Sequence, residues 1–199
     1  MIAILDYGAG NTHSIQHACK FLGFKSILTD SPSDIKKASK IIVPGQGAYK
    51  QAMTMLHKKQ LIKPLCDSIT SGKPFFGICL GFQLLFESST EHDGCEGLGI
   101  IPGHVTKIKS DTLTIPHMGW NSCHVKNSTM FSKIENESYF YFVHSFCVYK
   151  TDHSMIASTT SYDTDFVSSI CKDNVWAAQF HPEKSSKNGL QLLNNFLEL

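Results

Sequence analysis

The sequence has almost no surplus charge: 18 basic residues against 17 acidic ones leave a formal net charge of +1. A basic surface for nucleic acid or for an anionic membrane is therefore not expected. Seven cysteines, at positions 19, 66, 79, 95, 123, 147 and 171, contain no CxxC pair, which argues against a zinc ribbon and a thioredoxin-like redox pair. Their odd number and wide spacing are those of free thiols in a reducing cytoplasm. No apolar run approaches the roughly 18 residues of a membrane span. The opening "MIAILDYGAGN" reaches Asp6 without a basic leader, so no secretory signal is expected. His13 and His17 have the spacing of helical metal ligands, but residue 14 is serine and no third ligand suggests itself. "YGAGN" lacks the G-x-G-x-x-G spacing of a dinucleotide loop. Neither a metal nor a cofactor is expected. There is also no linker, internal repeat or low-complexity tract.

What is present is the composition of an ordinary globular protein, 42% hydrophobic and 18% charged over 199 residues, enough for one sizeable core. A single domain over residues 1–199 is expected. Its first half alternates strand-like and helix-like segments. "IAILD" (2–6), "KSILT" (25–29), "KIIVP" (40–44) and "PFFGI" (74–78) read as buried strands. Ile15, Ala18, Cys19 and Leu22 mark a helix with Thr12 as a candidate N-cap and Gly23 as its stop. Two helical stretches lie between 48 and 72, and "LGFQLLFES" has helical spacing. Alternating strands and helices predict an open, mostly parallel α/β sheet flanked by helices, a flavodoxin-like arrangement. From about residue 98, "GHVTKI", "YFYFV", "MIASTT", "FVSSICK" and "VWAAQF" predict added antiparallel strands. "KNGLQLLNNFLEL" predicts a closing helix with Leu190, Leu193, Phe196 and Leu197 inward.

Cys79 falls at the end of "PFFGI", between Gly77 and Gly81, in a G-x-C-x-G string at a strand–turn–helix boundary. A free cysteine is ordinarily buried packing. The glycine pair and the boundary instead fit a nucleophile elbow, where small neighbours permit a strained turn that projects the nucleophile. A helix start would favour the thiolate, and the Leu80 N–H would face a developing oxyanion. A thiolate needs a base and an orienting group. "FHPEKSS" supplies His181 and Glu183 on one side of an extended segment, with Pro182 restraining it. A surface His–Glu ion pair is the alternative for this stretch taken alone; with the elbow, a Cys79–His181–Glu183 triad is the stronger reading.

These residues resemble class I (triad) glutamine amidotransferases, and among them the glutaminase subunits of imidazole glycerol phosphate synthases of histidine biosynthesis. The landmarks run through the chain: "DYGAGN" (6–11), "VPGQGAY" (43–49), "GICLGFQLLFE" (77–87), "PHMGWN" (116–121), "YFVHSF" (141–146) and "QFHPEKSS" (179–186). The resemblance implies that Cys79 attacks the side-chain amide of glutamine, forming a glutamyl thioester and releasing ammonia. His181 would move protons and Glu183 would orient it. Gly47 would sit against substrate, with its loop completing the oxyanion hole beside Leu80. Gln83, Glu91 and the backbone at Ser145 and Phe146 would bind glutamine. Asn11, Met118 and Trp120, the latter two on a "PHMGWN" loop, would face a (β/α)₈ cyclase subunit in a heterodimer that receives the ammonia and activates the glutaminase. Phe82 stands where methionine is common and Phe146 where tyrosine is frequent; Cys147 follows it, and none of these touches the triad. The alternatives are a paralogous glutaminase supplying another pathway, such as amidation of a surface sugar, a non-catalytic binding subunit, and, more remotely, a thiol peptidase.

Overall fold

The computed structural model describes residues 1–126 and 128–199. The chain begins β1 (Ile2–Leu5), α1 (Thr12–Phe21), β2 (Ser26–Thr29), α2 (Pro32–Lys37), β3 (Lys40–Val43), α3 (Tyr49–Lys58), α4 (Ile62–Thr70) and β4 (Phe75–Ile78). These four strands pair in parallel in the order β2-β1-β3-β4. β1, β3 and β4 lie inside this sheet and are covered on both faces, which is why they read as apolar runs, whereas the edge strand β2 is only partly buried. Neighbouring residues then alternate between two cores. Ile41, Val43 and Phe75 pack with Leu56 and Leu65 of α3 and α4, whereas Ile42, Phe76 and Ile78 pack with Ile15 of α1.

After β4 come α5 (Leu80–Gln83), β5 (Phe86–Ser89), β6 (Cys95–Glu96), β7 (Ile101–Lys107), β8 (His117–Val125), β9 (Ser138–His144), β10 (Phe146–Val148), β11 (Ile156–Tyr162), β12 (Thr164–Lys172), β13 (Val175–Ala178) and α6 (Ser186–Leu197). β13 returns parallel to β4, so the sheet continues β4-β13-β12-β10-β7-β5-β6, with β12 and β10 antiparallel to their neighbours. β11, β8 and β9 form an antiparallel layer attached through β12. Among the described residues no helix is long and apolar enough to cross a membrane.

Four local expectations are corrected. The N-cap of α1 is Asn11, whose side chain accepts from the Ser14 N–H at 3.2 Å; Thr12 is the first helical residue and is buried. "LGFQLLFES" is helical for one turn only, and its end is strand β5, paired with β7. Leu84, Leu85 and Phe86 are all fully buried, so neither period is visible in them. "PHMGWN" is no loop: residues 117–121 begin β8 and pair with β9. Its pattern is inverted, with Met118 and Trp120 exposed and His117 buried, which hid the alternation. In α6, Leu193, Phe196 and Leu197 are buried as expected while Leu190 is only partly so.

Candidate active site

Three adjacent parallel strands, β3, β4 and β13, end at one edge of the sheet, the place where an open α/β fold presents its ligand site. Each ends in a different chemical element: Pro44–Gly47, Cys79, and the run Gln179-Phe180-His181. The Cys79 N–H still donates to the Ala178 carbonyl at 2.8 Å, one step beyond the β4–β13 ladder. There the backbone turns sharply, with Cys79 at φ +53° and ψ −103°. A non-glycine residue in that region is strained and is held only by its surroundings.

The flanking glycines supply that hold. A Cβ on Gly77 would lie 2.6 Å from the Gly81 carbonyl oxygen, and one on Gly81 would lie 1.8 Å from that of Val43. The glycines therefore let α5 fold back against β3 and β4, and Cys79 is the residue left at the apex. Its benefit from a helix dipole is smaller than the sequence implied, because α5 is a single turn.

His181 is extended at its own backbone, but Pro182–Lys184 form a 3₁₀ turn rather than an extended segment. Across that turn the His181 Nδ1–H donates to Glu183 Oε1 at 2.8 Å, with both side chains buried. This bond places a proton on Nδ1; Nε2 is buried and has no hydrogen-bond partner among the described residues. Burial disfavours the imidazolium, but the Cys79 sulfur and then Glu183 outweigh it and raise the His181 pKa to about 10. That is the direction set by a thiolate–imidazolium pair. The thiol also lies 4.0 Å from the Val143 carbonyl and 3.7 Å from Gln179 Nε2.

A cleft of about 490 Å³ opens over Cys79, lined by Gly47, Leu80, Gln83, Glu91, Ser145 and Phe146 together with Gln46, Tyr141, Val143 and Lys184. The structure thus gathers around Cys79 every residue expected to touch substrate. Gln83 donates to the Phe146 carbonyl and to Gln179 Oε1, both at 2.9 Å. Glu91 accepts from the Tyr49 N–H at 2.7 Å, pinning the start of α3 to the cleft wall. The Leu80 N–H donates to the Gly45 carbonyl at 3.4 Å. Gly45, not singled out by the sequence, is the close-approach glycine of this loop, since its Cβ would lie 2.4 Å from the Tyr7 hydroxyl oxygen. Gly47 is needed for another reason, its φ of +103°. Gln179 was also missed; a fully buried glutamine after an apolar strand looks like its termination. Met118 and Trp120 stand outside the cleft on the exposed face of β8, 62% and 52% exposed, beside Val143 and Tyr141 across the β8–β9 ladder. Asn11 is exposed at the N-terminus of α1, in the turn that follows β1.

A strained cysteine and a buried His–Glu pair, set just beyond the ends of two neighbouring parallel strands, have the arrangement of a thiol hydrolase of the amidotransferase type. The chain belongs to the class I glutamine amidotransferases, whose family model matches residues 3–199. It is 46% identical to the imidazole glycerol phosphate synthase subunit HisH of Desulfitobacterium hafniense (strain DSM 10664 / DCB-2), over 98% of this chain and 93% of that one. It is likewise 46% identical to the subunit of the same name from Pyrococcus furiosus, over all of this chain and 98% of that one. In fold it is similar to a crystal structure described as a glutamine amidotransferase, with a TM-score of 0.77 at 16% identity, covering 99% and 97% of the two chains.

Proposed function

We propose that this chain, as one domain over residues 1–199, is the glutaminase subunit of imidazole glycerol phosphate synthase. It hydrolyses glutamine to glutamate and ammonia, and a (β/α)₈ cyclase subunit uses the ammonia in histidine biosynthesis. The cytoplasm is the compartment that suits its free thiols and its pathway. Full-length identity to relatives bearing that subunit's name favours this pathway over a paralogous one. The single observation that carries the chemistry is the Cys79 sulfur beside a buried His181 whose other nitrogen is held by Glu183.

In this reading the Cys79 thiolate attacks the side-chain amide carbon of glutamine, and the His181 cation protonates the leaving nitrogen as ammonia departs. The resulting glutamyl thioester is hydrolysed by a water that His181, now neutral, deprotonates; the carbon–sulfur bond breaks and glutamate leaves. Glu183 stabilises the imidazolium and fixes its tautomer. Gln83, Glu91, Gly47 and the backbone of Ser145 and Phe146 hold the substrate, and Leu80 donates its N–H to the oxyanion with a Gly47-loop amide beside it. That N–H is engaged with Gly45 in the isolated chain, so the loop must shift before the hole can act. Asn11, Met118 and Trp120 form the docking face for the cyclase, where ammonia passes without meeting bulk water.

The deciding experiment measures glutamate release from glutamine by wild type and Cys79→Ala, with and without the cyclase and its ribonucleotide ligand. Activity that needs Cys79 and rises with the cyclase is expected. No Cys79-dependent release under any condition would leave a binding subunit.

A further inference from the structure

Two buried histidines, His117 on β8 and His144 on β9, are not used by the mechanism above. They face each other across the β8–β9 ladder, with His117 Nδ1 and His144 Nε2 at 2.9 Å. His144 Nδ1 is 2.9 Å from the Phe146 carbonyl oxygen, which can only accept. His144 therefore carries its proton on Nδ1, and its Nε2 must accept from His117 Nδ1–H. His117 Nε2 is then an acceptor, and the Asn121 amide nitrogen lies 3.3 Å away. That amide is itself oriented by the backbone, donating to the Ser161 carbonyl and accepting from the Ser122 N–H, both at 2.9 Å. Every proton in the row is assigned by a backbone group at one end or the other.

The row continues beyond Phe146. The same carbonyl accepts from Gln83 Nε2, whose second hydrogen goes to Gln179 Oε1; Gln179 Nε2 thus points at the Cys79 sulfur, 3.7 Å away. Donors run in one direction from Asn121 to the Phe146 carbonyl, and again from Gln83 to the sulfur. We propose that His117 and His144 are positioning residues: as a neutral, oriented pair they hold the Phe146 carbonyl, on which Gln83 and Gln179 take their register against the Cys79 sulfur. This rests on the reading of Cys79 as the nucleophile. A second proton on the pair would set two donors against each other, so the row works only while both rings are neutral. Their surroundings maintain that state. His117 is stacked between Phe142 and Tyr162, with His144 and Asn121 as its polar neighbours; His144 meets His117, Phe166 and, more distantly, the cationic His181. Burial pushes the His117 pKa down to about 4 and that of His144 to about 3. His117 also adjoins Met118, so the row runs directly beneath the exposed face of β8.

The test begins with the unsubstituted chain, labelled with ¹⁵N at histidine. Imidazole nitrogen shifts should show both rings neutral and protonated at Nδ1 between pH 5 and 8. Nε2–H tautomers, or a titration near pH 6.5, would overturn the proposal. His144→Leu and His144→Asn are then compared in the complex with the cyclase. Asparagine keeps a donor at the δ position and leucine does not. The leucine variant should lose roughly 10- to 100-fold in glutamine kcat/KM and alter the rate of Cys79 alkylation by iodoacetamide, read by peptide mass. The asparagine variant should recover most of both. Leucine variants that fold and keep wild-type rates, or an asparagine variant as impaired as leucine, would reduce the pair to packing. If wild type shows no Cys79-dependent glutaminase, the functional reading fails separately, while tautomers and alkylation still decide the row.

Discussion

At Cys79 a side chain's reactivity depends on what its neighbours lack. Gly81 has no room for a methyl group, because the Val43 carbonyl oxygen occupies the space 1.8 Å from where its Cβ would be. The Gly81→Ala variant must push α5 away from β3, an overpacking expected to cost about 3 kcal/mol or more. In a chain of this size that lowers the melting temperature by roughly 10 °C, and calorimetry would read it. An unchanged melting temperature would mean that the turn is loosely held. Glu183→Gln should leave the fold intact while lowering glutamine turnover by roughly 100- to 10,000-fold, because the amide neither stabilises the imidazolium nor selects its tautomer as the carboxylate does. Steady-state assay of the complex checks this, and a loss under tenfold would contradict the orienting role. The cysteine, the His–Glu pair and their flanking glycines were legible because this chemistry demands rare residue types in fixed order. Gln179 and Gly45 were not. Each matters only through a partner distant in sequence, Cys79 or Tyr7, and neither proximity leaves a local pattern.

Elements were legible wherever burial imposes a period. β1, β3 and β4 are short apolar runs because helices cover both of their faces, and α1 and α6 show their inward stripes. Two elements escaped. β5 follows α5 inside a stretch so apolar that no period survives, and β8 turns its polar residues inward and its apolar ones out. That inversion makes sense if β8 serves a partner on one face and a hydrogen-bonded row on the other. The placing of His181 between Cys79 and Glu183 carries a pH consequence. His181 has its folded pKa raised to about 10 from an unfolded value of 6.5. Its contribution to stability is therefore full below pH 6.5 and is lost as the pH rises toward 10. Urea midpoints should fall over that interval in wild type and fall less in Cys79→Ala, where the main charge raising the pKa is gone. Parallel curves for the two proteins would show that the sulfur does not hold the histidine cationic.

For the whole molecule, the site is placed beside the surface that would receive its product. Met118 and Trp120 lie opposite Val143 and Tyr141 in the β8–β9 ladder, and the latter two line the cleft. Trp120 meets the Tyr141 ring nearly edge-on at 6.2 Å, and Lys184 lies 5.8 Å over that same ring. A partner covering this face would therefore close the mouth of the cleft without displacing any triad residue. Trp120→Ala removes a large aromatic anchor from the middle of the face, a loss of about 2 kcal/mol if it is a hot spot. The dissociation constant for the cyclase should then rise roughly 30-fold. Excess cyclase should restore the glutaminase rate, because the anchor acts through occupancy and not through chemistry. In the isolated chain the Leu80 N–H is engaged by the Gly45 carbonyl, which on the proposed mechanism withholds it from the oxyanion. One oxyanion donor is worth on the order of 100-fold in rate. Docking of cyclase and ribonucleotide ligand should thus raise glutamate release by at least that order, through movement of a loop that lies at the same sheet edge as Asn11 and Cys79. Titrating cyclase into wild type and Trp120→Ala separates the two effects: affinity moves the midpoint and release of the Leu80 N–H sets the plateau. Equal plateaus with and without cyclase would show that the Gly45 contact does not limit catalysis.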